Sequence, residues 1–163
     1  MSRVDNEVLH SQMNWRYACK KFDTTKKIRE ADWNILAESL RLSASSYGLQ
    51  PWKFLVIQDP ALRQQLLPLS WGQTPVTDSS HFVVFTYKEK LDEAYIEKFI
   101  QTTAKVRGID ASGLEGYKNM MIGELVKGPR SETINFWAQR QSYIAMGTLL
   151  TTAAMMEIDT LPM

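Results

Sequence analysis

The segment from Gln141 to Met156 narrows the choice of fold more than any other. It carries no charged residue, and from Tyr143 onward its residues are apolar or small on nearly every side (YIAMGTLLTTAAMM). With the residues before it, the segment predicts one long helix from Ser131 to Met156, whose first half alternates polar and aromatic residues. A helix that is apolar all round belongs at the centre of a protein. The uncharged run is too short to span a bilayer and contains Gln, Ser and Thr, so it reads as a buried core helix and not a membrane segment. A chain of 163 residues can enclose such a helix in one domain, residues 1–163.

The other elements are shorter. Val4, Val8 and Met13 recur near helical spacing, and Ala31 to Leu42 is a second amphipathic helix with Trp33, Ile35, Leu36, Leu40 and Leu42 on its apolar side. Trp52 to Ile57 (WKFLVI) is a strand bounded by Pro51 and by Asp59-Pro60. Asp59-Pro60 starts a helix that runs to about Leu67: Asp caps free N–H groups, and Pro at the first helical position loses nothing. Ser70 to Ser80 is loop or short helix. His81 to Tyr87 (HFVVFTY) is a second strand, expected to be buried on both faces. Leu91 to Val106, with Tyr95, Phe99 and Ile100 inward, and Ala111 to Val126 are further helices, punctuated by Gly108 and Gly128. The class is α+β. Two strands do not make an independently stable sheet, so a further strand is expected, from more chain or from a second copy.

Composition removes several functions. A net charge of +1 gives no field to recruit nucleic acid or an anionic membrane. Cys19 is the single cysteine, so no intrachain disulfide forms, and the N-terminus has no apolar signal core; a cytoplasmic protein is expected. Glycine-rich dinucleotide and phosphate loops are missing, as is a nucleophile elbow. His10 and His81 lie far apart with no metal-ligand spacing, and His81, opening an apolar strand, reads as structural. No protein nucleophile or general base stands out. If the chain is an enzyme, a cofactor carries the chemistry.

Two stretches keep a functional reading open beside a bland one. Arg16, Lys20, Lys21, Lys26, Lys27 and Arg29 are opposed by only Asp23 and Glu30. They form either a solvated basic loop or a phosphate site, for which Arg supplies a planar fork and Lys a mobile charge. Ser45, Ser46 and Gly48 form either an ordinary helix-to-strand joint or a turn that offers backbone N–H groups to a ligand. Pro51 and Trp52 fix the chain behind it.

Together these stretches resemble the flavin-dependent nitroreductase family. Arg16-Tyr17-Ala18-Cys19-Lys20-Lys21-Phe22 is similar to its R-x-S-x-K-x-[FY] signature. Ser43-Ala44-Ser45-Ser46-Tyr47-Gly48-Leu49-Gln50-Pro51-Trp52-Lys53-Phe54 is similar to its A-P-S-[SA]-x-N-x-Q-P-W-x-[FV] segment. Asp78 to Phe85 resembles its strand entry, and Thr160-Leu161-Pro162-Met163 the start of its P-[MI]-x-[GS]-F segment. The matches keep the family's order and span almost the whole chain.

The resemblance implies a three-layer α+β fold, with a mixed or antiparallel sheet flanked by helices and a long buried central helix. It implies an intertwined homodimer holding FMN non-covalently at the subunit interface. NADH or NADPH would reduce the flavin, and N5 would pass hydride in ping-pong fashion to small-molecule acceptors such as nitroaromatics or quinones. A flavin or quinone reductase with little nitro activity, or a non-catalytic flavin-binding protein of the same fold, are the alternatives. No protein residue is expected to be catalytic. By the same resemblance Arg16, Tyr17, Ala18 and Lys20 bind the cofactor, with Arg16 near the phosphate and Lys20 near the N1–C2 edge of the ring. Ala44, Ser45, Ser46 and Gly48 form the turn that one subunit places against the other's flavin. Gln73 reads the pyrimidine edge, Pro162 approaches N5, and Tyr47 lines the substrate cleft. Ala18 stands where the family commonly has Ser, Ala44 where it has Pro, and Gly48 where it has Asn. Trp137, Gln141 and Tyr143 are expected to serve core packing. The family runs on beyond the point matched by Met163, so the chain is expected to be C-terminally incomplete.

Overall fold

The computed structural model describes residues 3–163. Asp5 caps helix α1 (Asn6–Trp15), its carboxylate accepting the Glu7 N–H. Helix α2 is Glu30–Arg41, and a 3₁₀ turn, Ser46–Gly48, leads to strand β1 (Trp52–Ile57). Helix α3 (Pro60–Leu66) starts as its sequence dictates, with Pro60 in its first turn and the Asp59 carboxylate accepting from the N–H groups of Ala61 and Leu62. The short α4 (Pro75–Asp78) precedes strand β2 (Phe82–Tyr87). Helix α5 (Glu93–Arg107) ends on Gly108, whose φ of 65° is the left-handed cap that favours glycine. Helix α6 (Glu115–Met121) runs into a π turn, Ile122–Val126, and α7 is Ile134–Met155.

The strands pair as an antiparallel ribbon. Lys88 N–H donates to Pro51 O at 2.8 Å, and Thr86 on β2 reaches Lys53 O on β1 at 2.9 Å. The protein is therefore α+β, with a two-stranded sheet among the described residues. Ala18 and Thr160 add an isolated parallel bridge.

The chain forms two compact units. The first comprises residues up to Ser43, Phe54–Val84 and Ala145–Met163; the second is Ala44–Lys53 with Phe85–Ile144. The boundaries fall inside β1, β2 and α7. In the first unit the buried residues include Leu36 and Leu40 of α2, Val76 of α4, and Ala145, Ala153 and Ala154 of α7. Arg63 of α3 is buried as well. Its fork donates to three backbone carbonyls, Ile57 (2.7 Å), Ser79 (2.6 Å) and Ser80 (3.3 Å), which lets a cation sit inside and ties the exit of β1 to the entry of β2. In the second unit Leu49, Leu91, Ile96, Ile100, Met121, Leu125, Trp137 and Ala138 form one core.

Several expectations need correction. β2 is half-buried at every residue rather than enclosed on both faces, because the sheet has only two strands to cover it. Of the apolar set expected on the second helix, Ile35 and the C-cap Leu42 are exposed, and Leu36 and Leu40 are the buried members. The helix expected over Ala111 to Val126 is a 3₁₀ turn, a short α-helix and a π turn in succession. The long helix begins at Ile134, after a 3₁₀ turn over Pro129–Thr133, and is not surrounded on all sides: Tyr143 is 67% exposed and Ile144 is exposed too. Tyr143 is thus not a core residue, whereas Trp137 and Gln141 are buried.

Candidate functional site

The cationic loop lies in the first unit. Helix α1 ends at Trp15, and Arg16 leaves it in an extended conformation, half-buried. The bridge between Ala18 and Thr160, with Cys19 N–H donating to Thr160 O at 3.0 Å, brings this loop beside the chain that carries Pro162. Cys19 is buried, its thiol lying 3.2 Å from Lys21 O. Tyr17, Ala18, Lys20 and Pro162 are exposed around this bridge. The hydrogen bond from Tyr17 Oη to Cys19 Sγ, ahead of the nearby Asp159 charge, pushes the Tyr17 phenol above its ordinary value.

Two features of this loop point to a ligand. Arg16, Lys20 and Lys21 have no carboxylate partner among the described residues, although ion pairs form elsewhere on the surface. Thr160 Oγ1 and Gln12 Oε1 are buried without a hydrogen-bond partner among the described residues. A buried oxygen left unpaired costs free energy, and such groups call for an explanation. One orphan belongs to the bridge partner of Ala18, and the other lies one helical turn before Arg16. Neither stood out in the sequence, since only the bridge makes Thr160 a neighbour of the loop. Gln73 is also in the first unit, half-buried between the Pro68–Ser70 turn and α4, with its own N–H donating to Ser70 O.

The Ser45–Gly48 turn lies in the second unit. Its backbone is unusual: Tyr47 has φ 59° and Gly48 φ 68°. The left-handed region costs a side chain such as Tyr about 1–2 kcal/mol. Glycine and asparagine tolerate it best, which explains in physical terms how Gly48 can stand where the resembled pattern has Asn. The turn's N–H groups are largely spent inward. Ser46 N–H donates to Gln141 Oε1 at 2.9 Å, Gly48 N–H to Ser45 O at 2.9 Å, and Gln50 N–H to Ser45 Oγ at 2.9 Å. The idea that the turn offers a row of N–H groups to a ligand is corrected accordingly: those of Ser46 and Gly48 hold the turn's own shape. Ala44 and the side of Ser46 remain exposed.

Gln141 does more than pack. Its amide nitrogen donates to Trp137 O at 3.1 Å while its oxygen brackets Ser46, so a buried polar residue on α7 sets the turn. Tyr95 of α5 pins the turn's exit through its hydroxyl, near both Leu49 O (3.1 Å) and Gln50 O (3.2 Å); burial raises the pKa of this phenol. Tyr117 donates to Tyr47 O at 2.9 Å, and the Tyr47 hydroxyl donates to Glu124, itself held by Arg130. In the sequence Gln141 carries one clue, being a polar residue at the head of an uncharged run, and Tyr117, Glu124 and Arg130 carry none.

The nitroreductase family model matches residues 13–163. A Staphylococcus aureus protein that carries an NAD(P)H nitroreductase name is 35% identical over 161 residues, covering 97% of this chain and 72% of its own. A Staphylococcus haemolyticus protein with the same kind of name is 34% identical over 166 residues, covering 100% of this chain and 76% of its own. Among solved structures, a Bacillus subtilis chain named as a nitroreductase superposes with a TM-score of 0.77 at 21% identity, covering 98% of this chain and 76% of its own. An Exiguobacterium sibiricum chain named likewise and solved in complex with FMN gives 0.74 at 21% identity, covering 100% and 76%. The fold, the loop and turn with their motifs in order, and a family match over nearly the whole chain agree: the chain belongs to the nitroreductase family.

Proposed function

We propose that this chain is an FMN-dependent oxidoreductase that moves hydride from NADH or NADPH to nitroaromatic, quinone or similar acceptors in a ping-pong cycle, as a homodimer. Bound FMN would supply the hydride-carrying chemistry at N5. The observation that carries this reading is the first-unit loop, where, among the described residues, Arg16, Lys20 and Lys21 lack carboxylate partners and the Thr160 hydroxyl is buried without a hydrogen-bond partner beside Ala18. These groups fit a phosphorylated, polyhydroxylated ligand: the cations suit the phosphate and the idle oxygens suit hydroxyl groups.

Within that reading Arg16 holds the phosphate, and Lys20 places positive charge where negative charge develops on the ring. Tyr17 and Ala18 serve through position and backbone, since Ala18 has no hydroxyl to give. Gln73 and Pro162 complete the first-unit set. Ala44, Ser45, Ser46 and Gly48 present a rigid turn across the subunit interface, with Tyr47 lining the acceptor cleft. The exposed apolar side chains of α1 (Val8, Leu9, Met13) and of α7 (Phe136, Tyr143) support a homodimer, because exposed apolar surface marks a site of association.

The test is spectroscopic. The purified protein should take up FMN, and NADH without oxygen should bleach its visible flavin bands; protein that binds no added FMN overturns the reading. Arg16→Ala should weaken FMN binding by about 1.5–3 kcal/mol, the range for a hydrogen bond to a charged group, as read by titration of the apoprotein.

A further inference from the structure

Three tyrosine hydroxyls hold the Ser45–Gly48 turn, and one differs in kind. Tyr117 and Tyr95 end on backbone carbonyls, those of Tyr47, Leu49 and Gln50. Such anchors stay in place as long as the chain is folded. The Tyr47 hydroxyl instead donates to Oε2 of the Glu124 side chain. The other carboxylate oxygen, Oε1, accepts from both Nε and Nη2 of Arg130, at 2.8 and 2.7 Å. Each oxygen therefore has its own partner, and the carboxylate is fixed from behind while it holds the phenol in front.

We propose that Glu124, braced by Arg130, is a positioning residue that sets the Tyr47 ring as a wall of the acceptor cleft and so tunes which acceptors fit; this rests on the oxidoreductase reading above. The backbone around Glu124 is built for the task. Ile122–Val126 is a π turn, closed by Lys127 N–H donating to Ile122 O at 3.0 Å, and turns of this kind are rare and concentrate at functional sites. Gly128 follows closely: a Cβ there would lie 2.6 Å from Gly123 O, so only glycine lets the chain fold back against the turn and bring Arg130 round to Glu124.

The ring of Tyr47 also packs against the core of the second unit and is tilted at 54° to Tyr117, with centroids 6.1 Å apart. Those contacts support a face of the ring without fixing its far end. The far end depends on the carboxylate, and the phenol proton is committed to Glu124 rather than available to an acceptor. With the latch broken, the ring keeps its place in the chain but loses its angle.

The experiment compares the FMN-loaded wild type with Glu124→Gln, Tyr47→Phe and the double variant, using 1,4-benzoquinone and the larger 1,4-naphthoquinone as acceptors. The ratio of kcat/KM for the two quinones should shift by about fivefold or more in each single variant, and no further in the double, because partners in one contact are not additive. Apoprotein melting temperatures should show the same coupling, with the double variant no lower than the worse single. FMN Kd in Glu124→Gln should change by less than the quinone ratio, since Tyr117, Tyr95 and Gln141 still hold the backbone of the turn. Effects that simply add, an unchanged quinone ratio, or a uniform fall for both quinones overturn the proposal. Wild-type protein that takes up no FMN overturns the oxidoreductase reading and this inference with it; wild type that is bleached by NADH leaves the quinone ratio to decide the latch alone.

Discussion

His81 stacks on Trp33 with ring centroids 4.1 Å apart, and its Nδ1 lies 3.0 Å from Ser80 Oγ. Burial, then the positive charges of Arg63 and Lys27, lower its pKa below the ordinary value. The folded state thus prefers neutral imidazole, and the unfolded chain binds the proton more readily. Stability from this residue is complete above the unfolded pKa of about 6.5 and is lost as pH falls from there toward the lower folded value. Urea midpoints should therefore drop between neutral and mildly acid pH, and His81→Gln should flatten that part of the profile. A slope unchanged in the variant would assign it to other groups. The structural role of His81 was legible, because a lone histidine opening an apolar strand has few other uses. The roles of Gln141 and Tyr143 were not. They sit two residues apart on one helix, yet one is buried as a bracket for Ser46 and the other faces outward. Composition is the same for both outcomes; only the partner decides.

At the scale of elements, termini with a local mechanism were readable. Asp59-Pro60 dictated the start of α3, and the carboxylate makes the two cap bonds expected of it. Asp59→Ala should cost about 1 kcal/mol, seen as a lower urea midpoint with an unchanged slope. The same logic found both strands and placed the long helix, though its start moved from Ser131 to Ile134 because Pro129–Thr133 winds as a 3₁₀ turn. The π turn over Ile122–Val126 was invisible. Periodicity records which residues are apolar, and one extra residue in a turn leaves the apolar set unchanged while moving Glu124 to where it meets Tyr47. The left-handed Tyr47 was equally hidden, since its conformation is imposed by Tyr117, Glu124 and Gln141 rather than by local preference.

For the whole molecule, the α+β class and the family were legible from motifs at both ends of the chain, while the assembly follows from surfaces that the sequence cannot place. Under the homodimer proposed above, sedimentation should give twice the 18.7 kDa chain mass, and Tyr143→Arg, on the exposed side of α7, should shift the population toward monomer. A wild-type protein that stays at the single-chain mass across micromolar concentrations would remove the dimer. The bridge from Ala18 to Thr160 has a consequence for biosynthesis. A ribosome makes the loop of Arg16 and Lys20 long before its bridge partner Thr160, and long-range pairings of this kind wait for both segments. Vectorial synthesis therefore leaves that loop without its closing neighbour until Thr160 has left the exit tunnel, and any ligand that needs the bridge is captured only after that point.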